Sequence, residues 1–317
     1  KLHNTHRMKY VTLDYLQFST DNGAYYYYHT EQDMNYQDTM LAVKAHVDQL
    51  GLPFRSWLMD SWFYYKGSDA GVKEWKGRPD VFPDGLSQIR RQINWLIMAH
   101  NRYWSTENVY AKQNGGDFDF IMEEHGALPV DDAFWDFFFD QAKQWGLDVY
   151  EQDWLNVQTQ SMNWTLQTVH GAKDWLLQMG NAAKRHGLAI QYCMSWPRHV
   201  LQSLQIDAVT QARASDDVLP DNGCSISLGV TSMLSHALGV TPHKDSFWST
   251  PLPPPNNPYN HYEHGSKLES IIATYSTGPV APSDKKESLN VPLIMKSCTQ
   301  DGTLLKPDLP AVRTDAT

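Results

Sequence analysis

The sequence predicts an α/β fold, a (β/α)8 barrel occupying residues 1–317 as a single catalytic domain. Three observations carry this. Strand-like and helix-like segments alternate along the chain. Helices end at glycine and are followed at once by an apolar run, the usual punctuation of a β-α unit. About eight strand candidates in 317 residues match a barrel somewhat longer than usual.

Taken in order, Val11–Thr20 reads as a strand and Tyr36–Leu50 as a helix stopped by Gly51. Ser56–Asp60 is a strand and Gly85–Ile93 a helix; Trp95–His100 is a strand and Asp132–Trp145 a helix closed by Gly146. Leu147–Gln152 is a strand, and Ala172–His186 a helix closed by Gly187. Leu188–Met194 and Ala208–Ser215 are strands, and Ile226–Leu238 is a helix closed by Gly239. Ser266–Tyr275 is a further helix, and Pro279–Ala281 begins a last short strand. Long loops follow the second strand (62–84), the third (101–131) and the seventh unit (the Pro/Asn-rich stretch from Pro251). Loops after strands build the active face of a barrel, so insertions there predict a shaped pocket. A doubly wound open sheet is the rival, but no Gly-rich phosphate loop follows the first strand.

The formal charge of −10 and pI near 5.7 argue against a nucleic-acid or anionic-membrane surface, which needs a basic face. No apolar run reaches the length of a membrane span. Cys193, Cys224 and Cys298 form neither metal-ligand spacing nor a disulfide framework. The pair in His261–His264 lies beside a Pro-rich loop and lacks further ligands, so no metal is expected. The chain begins at Lys1, which reads as a processed form or a piece of a longer protein. One sequon at Asn163 points to a glycoprotein, secreted or lysosomal.

Several strands finish on polar clusters, bringing Asp21, Asp60, His100, Asp153, Asp216 and Asp217 to strand ends. One such residue is readily a helix cap; five clusters at the carboxyl ends of barrel strands read as a site. Side-chain alternation places Gln211, Arg213, Ser215 and Asp217 on one face and Asp216 on the other. It also puts Glu151 and Asp153 together. Two carboxylates facing each other across the mouth are what glycoside cleavage requires. Tryptophans at strand ends, Trp62 among them, supply flat faces for sugar rings, although about half should be core.

The segments TDNGAYYYY (Thr20–Tyr28), DSW (Asp60–Trp62), FPDGL (Phe82–Leu86) and RASDD (Arg213–Asp217), in this order, resemble the catalytic barrel of glycoside hydrolase clan D. Within it the chain is most similar to the α-galactosidase and raffinose synthase family (family 36). The resemblance implies a retaining, exo-acting α-glycosidase on an oligosaccharide or glycoconjugate, with no cofactor, that hydrolyses or transfers a terminal sugar. It assigns Asp153 as nucleophile and Asp217 as acid/base, and Asp21, Asp60, Trp62, His100, Glu151, Arg213 and Asp216 are expected around the substrate. Relatives usually carry a lysine two residues before the nucleophile, where Glu151 stands here. That exchange predicts a raised pKa at Asp153 through like-charge repulsion, and so a poorer nucleophile. The β-sandwich domains that flank the barrel in relatives are not in this sequence. A catalytically silent, sugar-binding or structural barrel is the alternative.

Overall fold

The computed structural model describes residues 7, 10–217, 228–252 and 263–312. Cys224, His261, the first two residues of the expected helix Ile226–Leu238 and most of the Pro/Asn-rich stretch lie outside them.

Seven parallel strands form one sheet in sequence order: β1 (Gln17–Thr20), β2 (Ser56–Met59), β3 (Leu96–Asn101), β4 (Leu147–Gln152), β5 (Ala189–Tyr192), β6 (Val209–Arg213) and β7 (Thr241–His243). Their short apolar runs, buried on both faces, are what a parallel sheet covered by helices demands. Strand β7 escaped the sequence analysis because it has three residues and contains Pro242. The expected strand at Val11–Thr20 shortens to its last four residues, since Leu13 donates its N–H to the Tyr10 carbonyl (3.1 Å) and winds 11–13 into a 3-10 turn.

The segment after Pro279 bonds to both ends of the sheet. Gln17 and Ser19 of β1 donate to the carbonyls of Val280 (3.0 Å) and Pro282 (3.2 Å), while Phe247, beyond β7, donates to Ala281 (3.2 Å) and accepts from Ser283 (2.9 Å). Segment 280–283 thus bonds to β1 on one side and to the chain just past β7 on the other. Pro279 and Pro282 have no N–H to give, which interrupts the regular ladder there.

Inward and outward faces differ in character. Leu58, Met98, Val149 and Ala189 form a small cluster of their own. Two residues further along each strand, on the same face, stand Asp60, His100, Glu151 and Gln191. Strands β2 to β5 thus each carry an apolar foot and a polar head on the inner face. The other face meets the helices in the main core, where Trp57, Ile97, Tyr150 and Ile190 pack with Met40, Val43, Phe134, Trp135, Phe138 and Trp175.

The helices start and stop where local chemistry dictates. Asn35 caps Tyr36–Gln49 by accepting from Asp38 N–H (2.8 Å), and Asp131 caps Asp132–Trp145 by accepting from Ala133 N–H (2.9 Å). Gly146 ends the latter with φ +97°, a conformation open to glycine. The long loops are ordered by two antiparallel hairpins, Tyr65–Lys66 with Val72–Glu74 and Phe120–Glu123 with Gly126–Pro129. Among the described residues no helix is long and apolar enough to cross a membrane.

Candidate active site

The polar heads of the strands converge on one small cavity. It measures about 50 Å³ and is lined by Asp21, Asn22, Tyr27, Asp60, Ser61, His100, Arg102, Asp153, Trp154, Met194 and Asp217. Met194 and Asp217 also line a wider adjoining cleft of about 470 Å³ with Asn156, Trp196, Arg213 and Asp216. The second volume falls in the range of ligand sites.

Asp153 follows β4 directly. Its N–H donates to the Asn101 carbonyl (2.8 Å), extending the pairing with β3 and aiming the side chain inward. Oδ1 accepts from the Trp154 N–H (2.7 Å) and Oδ2 bonds to His100 Nε2 (3.1 Å). The Trp154 contact requires a left-handed backbone at a bulky residue, with φ +57°. Such strain costs of order 1–3 kcal/mol and clusters at functional sites.

His100 is buried between acids. Nε2 faces Asp153, and Nδ1 lies 3.1 Å from the Tyr64 hydroxyl and 3.8 Å from Asp60 Oδ1. Burial opposes its protonation, but Asp60, Asp153 and Glu151 more than offset this and raise its pKa. When the ring carries its proton, both nitrogens donate.

At Asp153, burial favours the neutral acid. The His100 hydrogen bond and the charges of His100 and Arg213 outweigh it, and the pKa is lowered. The expectation that Glu151 would raise Asp153 is therefore overturned. Glu151 absorbs the repulsion itself: burial first, then Asp153, push it up to about 7. Its Oε1 accepts from Gln191 Nε2 (2.6 Å), and its buried Oε2 has no partner. Glu151 lies beneath the cavity rather than on its wall.

Asp21 and Asp60 are pushed in opposite directions. Asp21 is raised well above the carboxylate range by burial and by its hydrogen bond to Asp60. Asp60 is lowered: burial is outweighed by His100, Asp21 and the Ser61 N–H. Arg213 gathers three acids, with Nη1 reaching Asp21 Oδ2 (3.2 Å) and Asp245 Oδ1 (2.7 Å) and Nη2 bonded to Asp217 Oδ1. Asn22 Nδ2 donates to the other Asp217 oxygen (3.0 Å).

Asp21, Asp60, His100, Asp153, Arg213 and Asp217 are thus brought together. Asp216 is exposed and reaches only the wider cleft. Trp62 does not wall the site. It is 1% exposed, stacked on Tyr36 at 3.8 Å between ring centres, with its indole N–H bonded to the Thr20 carbonyl. A tryptophan just past a strand end can turn either way, and here the Tyr36 ring receives it. Trp154 and Tyr27 provide the aromatic wall instead. Asn163 stands exposed on the surface.

Residues missed in the sequence include Asn22, Tyr64, Arg102 and Asp245. Arg102 could have been found by parity, since it lies two beyond His100. Asp245 follows a strand that the sequence does not reveal.

No protein-family model and no curated protein sequence matches the chain. Solved structures do. Over 93% of this chain and 75% of its own, α-galactosidase I from Mortierella vinacea superposes with a TM-score of 0.55 at 12% identity. The α-galactosidase from Lactobacillus brevis gives 0.57 at 14% identity, over 89% of this chain and 39% of its own. The trehalose-6-phosphate hydrolase from Bacillus licheniformis gives 0.56 at 6% identity, over 86% and 65%. The chain spans less than two thirds of the latter two. At such identities the shared property is the α/β architecture.

Proposed function

We propose that the chain is a closed (β/α)8 barrel, with 280–283 as its eighth strand, and a retaining α-glycosidase of clan D type, nearest to family 36. One observation carries the reading: Asp153 and Asp217, from β4 and the segment after β6, line the same cavity at the carboxyl end of the sheet. The α-galactosidases among the structural neighbours support it at the level of fold.

In this reading Asp153, held ionised by His100, attacks the anomeric carbon. The glycosidic C–O bond breaks as an ester to Asp153 forms, and Asp217 gives its proton to the leaving oxygen. Asp217 then takes a proton from water, which cleaves the ester with net retention. A sugar in place of that water gives transfer. No cofactor enters. Met194 and Asp217 line both cavities and so join the inner space beside Asp153 to the wider cleft. Asp60 and Asp21 offer one acceptor and one donor to sugar hydroxyls. Asn163 is the glycan acceptor of a secreted or lysosomal form.

The test is turnover of aryl α-glycosides of several sugars, with Asp153→Ala run alongside and the product anomer read by NMR. Turnover with retention, abolished in the variant, is expected. Well-folded protein that cleaves none of them would show that the barrel binds sugar without cutting it.

A further inference from the structure

The acids around the inner cavity each have a close polar partner, with His100 shared by Asp153 and Asp60 and Arg213 shared by Asp217, Asp21 and Asp245; Asn22 also holds Asp217. Among the described residues two cations make no such contact with an acid. Arg102 lines the cavity with its guanidinium 4.6 Å over the Trp154 ring and 5.1 Å over Tyr103. Its Nε is buried with no hydrogen-bond partner, and among the described residues it makes no ion pair. Lys66 reaches the rim from the first hairpin. Its Nζ bonds the Tyr28 hydroxyl and the carbonyl of Ser61 (2.6 Å), a cavity residue, and it too has no carboxylate within ion-pair reach among the described residues.

These charges act on each other. Burial, then the charge of Arg102, lowers Lys66 to about 8. The charge of Asp60 favours the Lys66 cation, but neither half-buried cation has a carboxylate within ion-pair reach among the described residues, and an anion bound by both would offset their mutual repulsion. A guanidinium whose plane is set by stacking on an indole presents its fork in a fixed direction, which suits two-point binding of a carboxylate, sulfate or phosphate.

We propose that Arg102 and Lys66 receive an acidic substituent, a carboxylate, sulfate or phosphate ester, on the sugar that enters this cavity. The proposal rests on the glycosidase reading for its sugar and names the class of that sugar. His100 and Arg213 offset part of the repulsion from the acids, while Arg102 and Lys66 attract such a group.

Calorimetry tests this without turnover. The probes are methyl α-galactoside and methyl α-glucoside, their uronic acids, and their 6-sulfates and 6-phosphates, titrated into the protein, Arg102→Gln and Arg102→Lys. An acidic sugar should bind about tenfold or more tighter than its neutral parent, as a charge-assisted pair implies. That ratio should collapse in Arg102→Gln and return in part in Arg102→Lys, which keeps the charge and loses the fork. Lys66→Gln should lower the ratio as well, and serves if Arg102→Gln fails to fold by circular dichroism. The three acidic series tell which group is taken. Neutral sugars binding as tightly as acidic ones, a preference that survives both substitutions, or binding of none of the probes would overturn the proposal. Turnover of neutral aryl glycosides without acid preference sinks this inference alone. Acid preference without any turnover sinks the glycosidase reading and leaves this one standing.

Discussion

Glu151→Gln should gain stability relative to the natural protein as pH rises from acid to neutral. The carboxyl of Glu151 is buried, and its pKa is carried from 4.5 to about 7, by burial and then by Asp153. Between those values the folded protein holds a proton that the unfolded chain has released. Stability associated with Glu151 is therefore fully present below pH 4.5 and is lost as pH rises through about 7. At about 1.4 kcal/mol per tenfold, the loss is on the order of 3 kcal/mol. Glutamine keeps the Oε1 acceptor that Gln191 uses and mimics the neutral acid. Placing an amide where Oε2 has no partner adds a penalty of its own, but one that does not vary with pH. Urea unfolding of both proteins from pH 4.5 to pH 8 reads the difference directly. The gap should open in favour of the variant as pH rises. A gap constant across that range would mean that Glu151 is ionised in the folded protein throughout, and the account of how the site tolerates it would be wrong.

Three further outcomes are expected. In His100→Gln, Asp153 loses a hydrogen bond and a neighbouring charge, so the acid limb of the kcat/KM–pH profile should move up by about 1–3 pH units; an unmoved limb would separate His100 from the nucleophile. Trp62→Ala should cost about 3–5 kcal/mol in denaturant, as expected of a core ring stacked on Tyr36; a loss confined to sugar binding would return it to the site wall. The buried pair Lys244–Glu269 (2.5 Å) should lose about 3–5 kcal/mol in Lys244→Met, while adding Glu269→Leu should recover most of it. A double variant as unstable as the single one would show that the charges do more than neutralise each other.

Much of the fold was legible because it rests on local chemistry. The helix Asp132–Trp145 and the strand Leu147–Gln152 were readable to the residue: an aspartate cap, a run of core aromatics, a glycine stop and an apolar run leave little choice. Strand parity put Asp153 and Asp217 on inward faces because two-residue alternation is a property of the backbone itself. Where the local signal was thin, reading failed. Strand β7 is too short to alternate, and 280–283, although placed near its expected position, contains Pro282 and follows Pro279, which interrupt regular pairing.

The sequence by itself determined the alternating α/β order and which carboxylates stand at strand ends. Only the tertiary structure decided their protonation and their company. Whether Glu151 perturbs Asp153 or takes the proton itself depends on His100 and Arg213, which come from other strands. Whether Trp62 faces a sugar or a tyrosine depends on the helix packed against it. Electrostatic energies are set by distances of a few ångströms and by exclusion of water, and both come into being when distant segments meet.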